Sequence, residues 1–251
     1  MGNRYAQLFH WLTILALVKT LVFAQASGGY GRLALWHMVH EECPVNAEKG
    51  ANPSPCIMYR TKGADDKSGY AIVKDRVGES QFLLIPTTRL SGIGDPQLLA
   101  NDAANYLADA WSARFLVSGM REREISREYL SLAINSEDNV SQDQLHIHID
   151  CVREEILPTL KHLKFAASRS ASTWRHVTLE ARVYRVTWVP GDKLEVNPFK
   201  LLSSSVPQPE MRHHSLVVIG ARRPALGLLV LDTSGNRAHG EDLQSHEACP
   251  K

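Results

Sequence analysis

The stretch Asn135-Ser-Glu-Asp-Asn-Val-Ser-Gln-Asp-Gln-Leu-His-Ile-His-Ile-Asp-Cys151 decides the fold. From Leu145 onward polar and apolar residues alternate, so a strand places His146, His148 and Asp150 on one face and Leu145, Ile147, Ile149 and Cys151 on the other. One face belongs to a core and the other is offered to a ligand. A strand with Ile, Leu and Cys on its dry side needs no histidines to be stable, so the imidazoles call for a separate explanation. Three readings are open for the His-x-His pair. It is a metal site completed by Asp150, a hydrogen-bonded sheet surface, or a nucleophilic imidazole with neighbours that hold charge.

Working outward, Tyr129–Ile134 reads as a strand joined to Leu145–Val152 by the polar loop 135–144. The two are expected to pair antiparallel and to carry Asn135 and Gln142 towards the histidines. Upstream, Tyr70–Lys74 and Phe82–Pro86 flank a Gly-bearing turn, a hairpin signature. Asp95-Pro96 starts a helix as N-cap and first-turn proline. Leu99, Ala103, Tyr106, Leu107, Ala110 and Trp111 line one face of it down to about Phe115, and Gly119 ends it. The charged run Arg121–Glu128 reads as a solvated loop. Nearer the start, Tyr30–Glu42 reads as a short helix closed by Glu41 and Glu42, and Pro44–Pro55 as irregular, since prolines remove donors and disfavour helix before them. Downstream, Val183–Val189 reads as a strand, Pro198–Leu202 as a helical turn, and Ser215–Ile219 with Leu226–Leu231 as a hairpin. That hairpin echoes Tyr70–Pro86, and Gly240–Leu243 follows it as Gly94–Leu98 follows the first, which leaves an internal duplication open. The expected class is α+β, an antiparallel meander with a packed helix plus a C-terminal α+β half that is a candidate degenerate repeat. The division is 1–26, 27–160 and 161–251, the last two forming one globular unit.

The chain has 251 residues, 44% of them hydrophobic, which suits a sizeable core. Its 28 basic and 27 acidic residues leave no electrostatic footprint for duplex nucleic acid. Arg4 precedes the apolar run Leu8–Val18, and Ala24-Gln25-Ala26 has the small-x-small form of a signal-peptidase site. Tyr5–Ala26 is also long enough, at 22 residues, to span a bilayer that needs about 20. Cleaved or retained, such a leader places the remainder outside the cytoplasm. Four cysteines in an exported chain suggest two disulfides, and Cys43–Cys56 with Cys151–Cys249 is the expected pairing, four buried free thiols being the alternative. No CxxC supports a zinc knuckle.

The stretch resembles the histidine-triad superfamily of nucleotide hydrolases and transferases, in which a strand ending in Asn and a loop with Gln precede His-φ-His-φ-His, φ being apolar. Asn135, Gln142, His146 and His148 fall at matching intervals. The resemblance is closer to one branch, the CDP-diacylglycerol pyrophosphatases, through the terminal Cys151, Asn-Pro-Ser-Pro-Cys at 52–56, Leu-Ala-Ile-Asn-Ser at 132–136, Asn-Pro-Phe at 197–199 and the hydrophobic leader. It implies hydrolysis of CDP-diacylglycerol to CMP and phosphatidate, with His148 as nucleophile, His146 orienting it, and Asn135 and Gln142 binding phosphate or leaving-group oxygens. Arg89, in Ile-Pro-Thr-Thr-Arg, is a further phosphate candidate, a plain surface arginine being the alternative, and Lys74 another. Asp150 stands where the superfamily has its third histidine, which questions a simple copy of that mechanism. Beside an imidazole it would favour the phosphorylated form of His148 or fix its tautomer, and the alternative is that it turns to a backbone amide or to solvent. The scheme implies no cofactor and no metal. It implies a membrane surface as partner, at the periplasmic face of an inner membrane or in the periplasm if the leader is cleaved, and allows a homodimer. A nucleotidyltransferase, a metal-dependent hydrolase on His146, His148 and Asp150, and a non-catalytic nucleotide-binding module remain as rivals.

Overall fold

The structure is a computed structural model describing residues 30–251 except 51, 63–65, 167–170, 172 and 236–237. The leader read at 1–26 lies outside the described residues, and among those described no helix is long and apolar enough to cross a membrane.

The fold is α+β, built on one antiparallel sheet. Its strands are β1 (Met58–Arg60), β2 (Tyr70–Lys74), β3 (Phe82–Pro86), β4 (Leu130–Ile134), β5 (Ile147–Val152), β6 (Arg175–Leu179), β7 (Arg182–Pro190), β8 (His214–Ala221) and β9 (Gly227–Ser234), in spatial order β1-β2-β3-β5-β4-β8-β9-β7-β6. A tenth strand, β10 (Gln244–Ser245), adds to β5 at Cys151 and Val152, beyond the part of β5 that β3 covers. The hairpin turn between β2 and β3 closes with Asp75 N–H on Gln81 O at 3.0 Å, and Gly78 supplies its positive φ of 72°. β4 and β5 pair antiparallel as expected, with Ala133 opposite His148 and Ser131 opposite Asp150.

The sheet contains a repeat, in a different frame from the one the sequence suggests. β2-β3-helix-β4-β5 assembles in the order β2-β3-β5-β4, and β6-β7-helix-β8-β9 in the order β6-β7-β9-β8. The halves meet through the antiparallel β4–β8 pair, with Leu132 opposite Val218. The second hairpin, β8–β9, therefore occupies the place of β4–β5 and not that of Tyr70–Pro86. Each half starts its helical segment the same way: Asp95 and Asn197 both precede a proline and both accept, at 3.0 Å, the N–H two residues on. On the face where β5 carries histidines, β9 carries Leu229 and Leu231, so only one half keeps the polar strip.

Three expectations change, two of them helical. The N-terminal helix does not stop at Glu42: α1 (Ala34–His37) continues through a π turn, Met38–Glu42, into α2 (Cys43–Gly50). Cys43 N–H bonds Met38 O, five residues back, and this widened turn lets the helix absorb Pro44, which has no N–H to give. The helix read from Asp95 to Phe115 is broken into a 3-10 turn, Pro96–Leu99, then α3 (Tyr106–Ala113) and α4 (Phe115–Met120), because Asn105 recaps the chain by accepting from Ala108 N–H. The run Arg121–Glu128 is not simply solvated. Arg127 is buried and bonds Asp192 Oδ1 at 2.6 Å and Gly227 O at 2.7 Å, while Arg121 and Arg123 bond the carbonyls of Glu247, Cys249 and Pro250. Charge marks these side chains as polar, but the oxygens that satisfy them come from segments 65 to 127 residues away in sequence, which local pattern cannot supply.

One sheet face carries the large core, where Leu145, Ile147, Ile149 and Cys151 pack with Leu107, Trp111, Phe199 and their neighbours from α3, α4 and α6 (Pro198–Ser203). The other face has two smaller apolar clusters. At one end Leu35, Trp36, Val39 and Cys43 of the N-terminal helix cover Ala71, Val73, Leu83 and Ile85. At the other, α5 (Leu157–His162) covers Val186, Trp188, Val217 and Leu231. His146, His148 and Asp150 lie in the strip between these clusters. Both expected disulfides form: Cys43–Cys56 clips the N-terminal helix to the loop before β1, and Cys151–Cys249 ties the C-terminal tail to β5.

Candidate active site

The strip is built by cross-strand register. Leu83 and Ala133 flank His148 on β3 and β4, and the residues beyond β3, Gln81 and Ser80, run beside Asp150. The tail then returns over it. After β9 the chain makes a 3-10 turn, Gly240–Leu243, and enters β10. Asn135, the residue that follows β4, fixes that turn. Its Oδ1 accepts from Gly240 N–H at 2.8 Å and Glu241 N–H at 3.3 Å, and its Nδ2 donates to Glu241 Oε2 at 2.6 Å. Gln244 of β10 donates to Ser131 Oγ at 3.0 Å and to His148 O at 3.3 Å.

The result is a histidine–carboxylate pair. Glu241 Oε1 lies 3.0 Å from His148 Nδ1 and accepts from Gln81 Nε2 at 2.9 Å. Gln81 Nε2 is also 2.8 Å from His148 Nδ1, and Asp75 Oδ2 stands at 3.8 Å. Burial by itself would raise the Glu241 carboxyl, but hydrogen bonds from His148, Gln81 and Asn135, with the charge of His148, outweigh it and hold the group well below the usual carboxylate range. In the neutral ring, the ionised Glu241 favours the tautomer with the proton on Nδ1, which leaves the lone pair on Nε2. That Nε2 is buried and has no hydrogen-bond partner.

His146 stands edge-on to His148 with ring centroids 5.0 Å apart, and its Nδ1 bonds Gln144 O at 2.7 Å. Burial, and then the nearby His148, push its pKa down to about 4, so it is neutral at pH 7. Asp150 is fully buried. Its Oδ1 accepts from Ser80 Oγ at 3.0 Å and Cys151 N–H at 2.8 Å, and its Oδ2 has no hydrogen bond but faces His246 Nδ1 at 3.6 Å. The polar face is thus covered and not open as the strand pattern suggests: His148 is only 5% exposed. The cover is the C-terminal tail, whose approach no strand periodicity encodes.

The structure brings together His146, His148, Asp150 and Asn135 of the residues singled out in the sequence. Asn135 is committed to the Glu241 turn. Gln142 is placed elsewhere: its Oε1 accepts from Leu35 N–H at 3.0 Å and its Nε2 donates to Gly31 O at 3.2 Å, so it docks the N-terminal helix. Arg89 bonds Asp143 O and Gln144 Oε1 and lies over the Trp36 ring, supporting the loop that leads into His146. Lys74 Nζ is spent on Asp75 O and Gly78 O. Glu241, Gln81 and His246 escaped the reading of the strand. The one signal for Glu241 and His246 was a tail bearing histidines and acids, close to a cysteine able to pair with Cys151, and Gln81, just before β3, gave none. Among the described residues, the trio of metal-ligand types that comes together is Asp150, Cys151 and Cys249, and both sulfurs are already in the disulfide. No thiolate remains there for a soft metal.

Residues 31–250 match the family model of CDP-diacylglycerol pyrophosphatase. The chain belongs to this family. A relative named CDP-diacylglycerol pyrophosphatase from Yersinia pestis is 33% identical over 259 residues, covering 97% of this chain and 93% of its own length. As a member of the CDP-diacylglycerol pyrophosphatase family the chain is a hydrolase. The match takes in β1 to β10, including both halves of the sheet and the tail that carries Glu241.

Proposed function

We propose that the protein hydrolyses the pyrophosphate bond of CDP-diacylglycerol, releasing CMP and phosphatidate through a cytidylyl-histidine intermediate. The observation that carries this reading is the buried, unpartnered Nε2 of His148 behind an Nδ1 held by Glu241. Nε2 attacks the phosphorus that bears the cytidine, a P–N bond forms, and the P–O bond to phosphatidate breaks. The imidazole gains positive charge as it is phosphorylated, and Glu241 lies where that charge develops. Water then attacks the same phosphorus, the P–N bond breaks, and its electron pair returns to Nε2. Gln81 and Asn135 act by holding Glu241 ionised and in place. His146, neutral and edge-on, holds the ring plane of His148.

A lipid substrate also gives the N-terminal leader a purpose, since an enzyme acting on a bilayer-resident molecule gains from being held at that surface. The site then sits outside the cytoplasm, where Cys43–Cys56 and Cys151–Cys249 persist. The test is incubation of the purified protein with CDP-diacylglycerol in oxygen-18 water. Attack at the cytidine phosphorus puts the label in CMP, and His148→Ala abolishes release. Label found in phosphatidate, or turnover by His148→Ala, overturns the reading.

A further inference from the structure

We infer that His246, carried by the tail and held by Asp150, is the proton donor to the departing phosphatidate and the base for the attacking water. The inference rests on the hydrolysis proposed above and adds a second catalytic residue to it.

Asp150 poses the problem that His246 answers. A fully buried carboxylate beside a phosphate-binding strip is costly unless a cation faces it. Its Oδ1 is satisfied by Ser80 and Cys151, while Oδ2 is an orphan that faces His246 Nδ1 at 3.6 Å. His246 Nδ1 is likewise buried without a hydrogen bond, so a small closing movement makes the bond. The other cations near Asp150 are engaged: Lys74 bonds two carbonyls, and Arg121 bonds Ser80 Oγ, Glu79 and Glu247 O. The imidazole side chain is one-third exposed. With Nδ1 turned to Asp150, its Nε2 is the edge left for substrate.

The tail is fastened so that this placement is reproducible. β10 pairs Ser245 with Cys151, the disulfide joins Cys249 to the same cysteine, and His246 O accepts from Glu79 N–H at 3.0 Å. Asp150 is two residues from His148 on the same strand face, a separation of about 7 Å, so the imidazole beyond it is within reach of a pyrophosphate whose near phosphorus is at His148. The groups facing His246 are Asp150 from β5, Asp75 from the β2–β3 turn and Glu241 from the 3-10 turn. The facing Asp150 carboxylate, opposed by burial and aided by Glu241 and Asp75, raises its pKa, so at neutral pH more of it carries the proton.

The step balances. As His148 Nε2 bonds to phosphorus, the bridging oxygen leaves with the P–O electron pair and takes the proton from His246 Nε2. In the second half His246, now neutral, takes a proton from water as its oxygen bonds to phosphorus, and the P–N pair returns to His148. No oxidant, reductant or further reactant is required.

The experiment compares full-length wild type with His246→Gln and Asp150→Asn on CDP-diacylglycerol and on the 2,4-dinitrophenyl ester of CMP, whose leaving group is far less basic than phosphatidate and needs no proton. With the lipid, His246→Gln is expected to lose 10²- to 10³-fold in kcat with little change in KM, and the alkaline limb of the wild-type kcat profile disappears. With the aryl ester, His246→Gln gives a burst of one dinitrophenolate per enzyme at the wild-type rate, followed by slow turnover. Asp150→Asn, which keeps His246 but removes its charge partner, moves the alkaline limb to lower pH. A His246→Gln enzyme within threefold of wild type on the lipid, or one equally impaired in burst and turnover, overturns the inference. If wild type does not accept the ester, the pH profile decides alone, and an alkaline limb retained in His246→Gln overturns it. Failure of wild type to hydrolyse CDP-diacylglycerol is a different result, and overturns the proposed function itself.

Discussion

Replacing Glu241 by Gln keeps the shape of the group that His148 leans on and removes its charge. The carboxylate oxygen is 3.0 Å from His148 Nδ1, and the positive charge on a phosphorylated imidazole is spread over the ring, so about 4 Å is a fair charge separation. At an effective dielectric of about 20 that is worth roughly 4 kcal/mol for a full charge. Only part of the charge has formed in the transition state and the Gln dipole replaces part of the interaction, leaving about 2–3 kcal/mol, or a roughly 30- to 150-fold fall in kcat. The assay is release of CMP from labelled CDP-diacylglycerol in mixed micelles at saturating substrate, with thermal unfolding of each variant measured alongside. Asp75→Asn provides the internal scale, because Asp75 stands at 3.8 Å and makes no hydrogen bond to the ring; it loses less than Glu241→Gln. A folded Glu241→Gln enzyme within threefold of wild type, beside an inactive His148→Ala, would refute the idea that this carboxylate sets the tautomer and charge of the nucleophile.

The remaining outcomes follow from the same contacts. Because burial lowers the His146 pKa from 6.5 to about 4, the unfolded chain takes up a proton first as pH falls; this group's stabilising contribution is complete above about 6.5 and is lost on the way down to about 4, some 3 kcal/mol, which acid titration of unfolding with His146→Gln as control measures. Cys249→Ser opens a loop of sequence separation 98 and frees the tail that carries Glu241 and His246, so it costs about 4–5 kcal/mol and most of the activity, whereas Cys43→Ser with Cys56→Ser costs about 3 kcal/mol and leaves kcat within a few-fold. Gln142→Ala and Arg89→Ala, whose side chains hold the N-terminal helix and the loop before His146, leave kcat within about threefold at 25 °C and lower the unfolding temperature. Asn135→Ala, which loses two backbone caps and the bond to Glu241, lowers kcat about tenfold.

Where the sequence predicts and where it fails divides along a physical line. Alternation at Leu145–Val152 assigns both faces of β5 correctly, the Gly-bearing turn announces β2–β3, and Asp95-Pro96 announces a helix start, because each is a local property of pleat, turn or cap. Continuity of the helix past Glu42 depends on a π turn, and the break at Asn105 on a competing cap, so both lie outside simple periodicity. The repeat was legible as a hairpin echo but in the wrong frame, since apolar hairpins resemble one another whatever their position in the sheet. The site shows the same limit. His146, His148 and Asp150 share a strand face and could be read from spacing, while Glu241 and His246 arrive from about 90 residues away. Asn135, Gln142 and Arg89 were recognisable as residues of interest, yet their hydrogen bonds go to the tail turn, the N-terminal helix and the β5 approach, choices made by tertiary packing.

The central claim is a covalent bond between His148 Nε2 and the cytidine-bearing phosphorus, and trapping it is the most direct measurement. Protein mixed with CDP-diacylglycerol, quenched in denaturant without acid and digested for mass spectrometry, should carry one cytidylyl group on the peptide containing His148, absent from His148→Ala. Turnover with no adduct in either the wild type or His246→Gln, or an adduct on any other residue, would contradict the account.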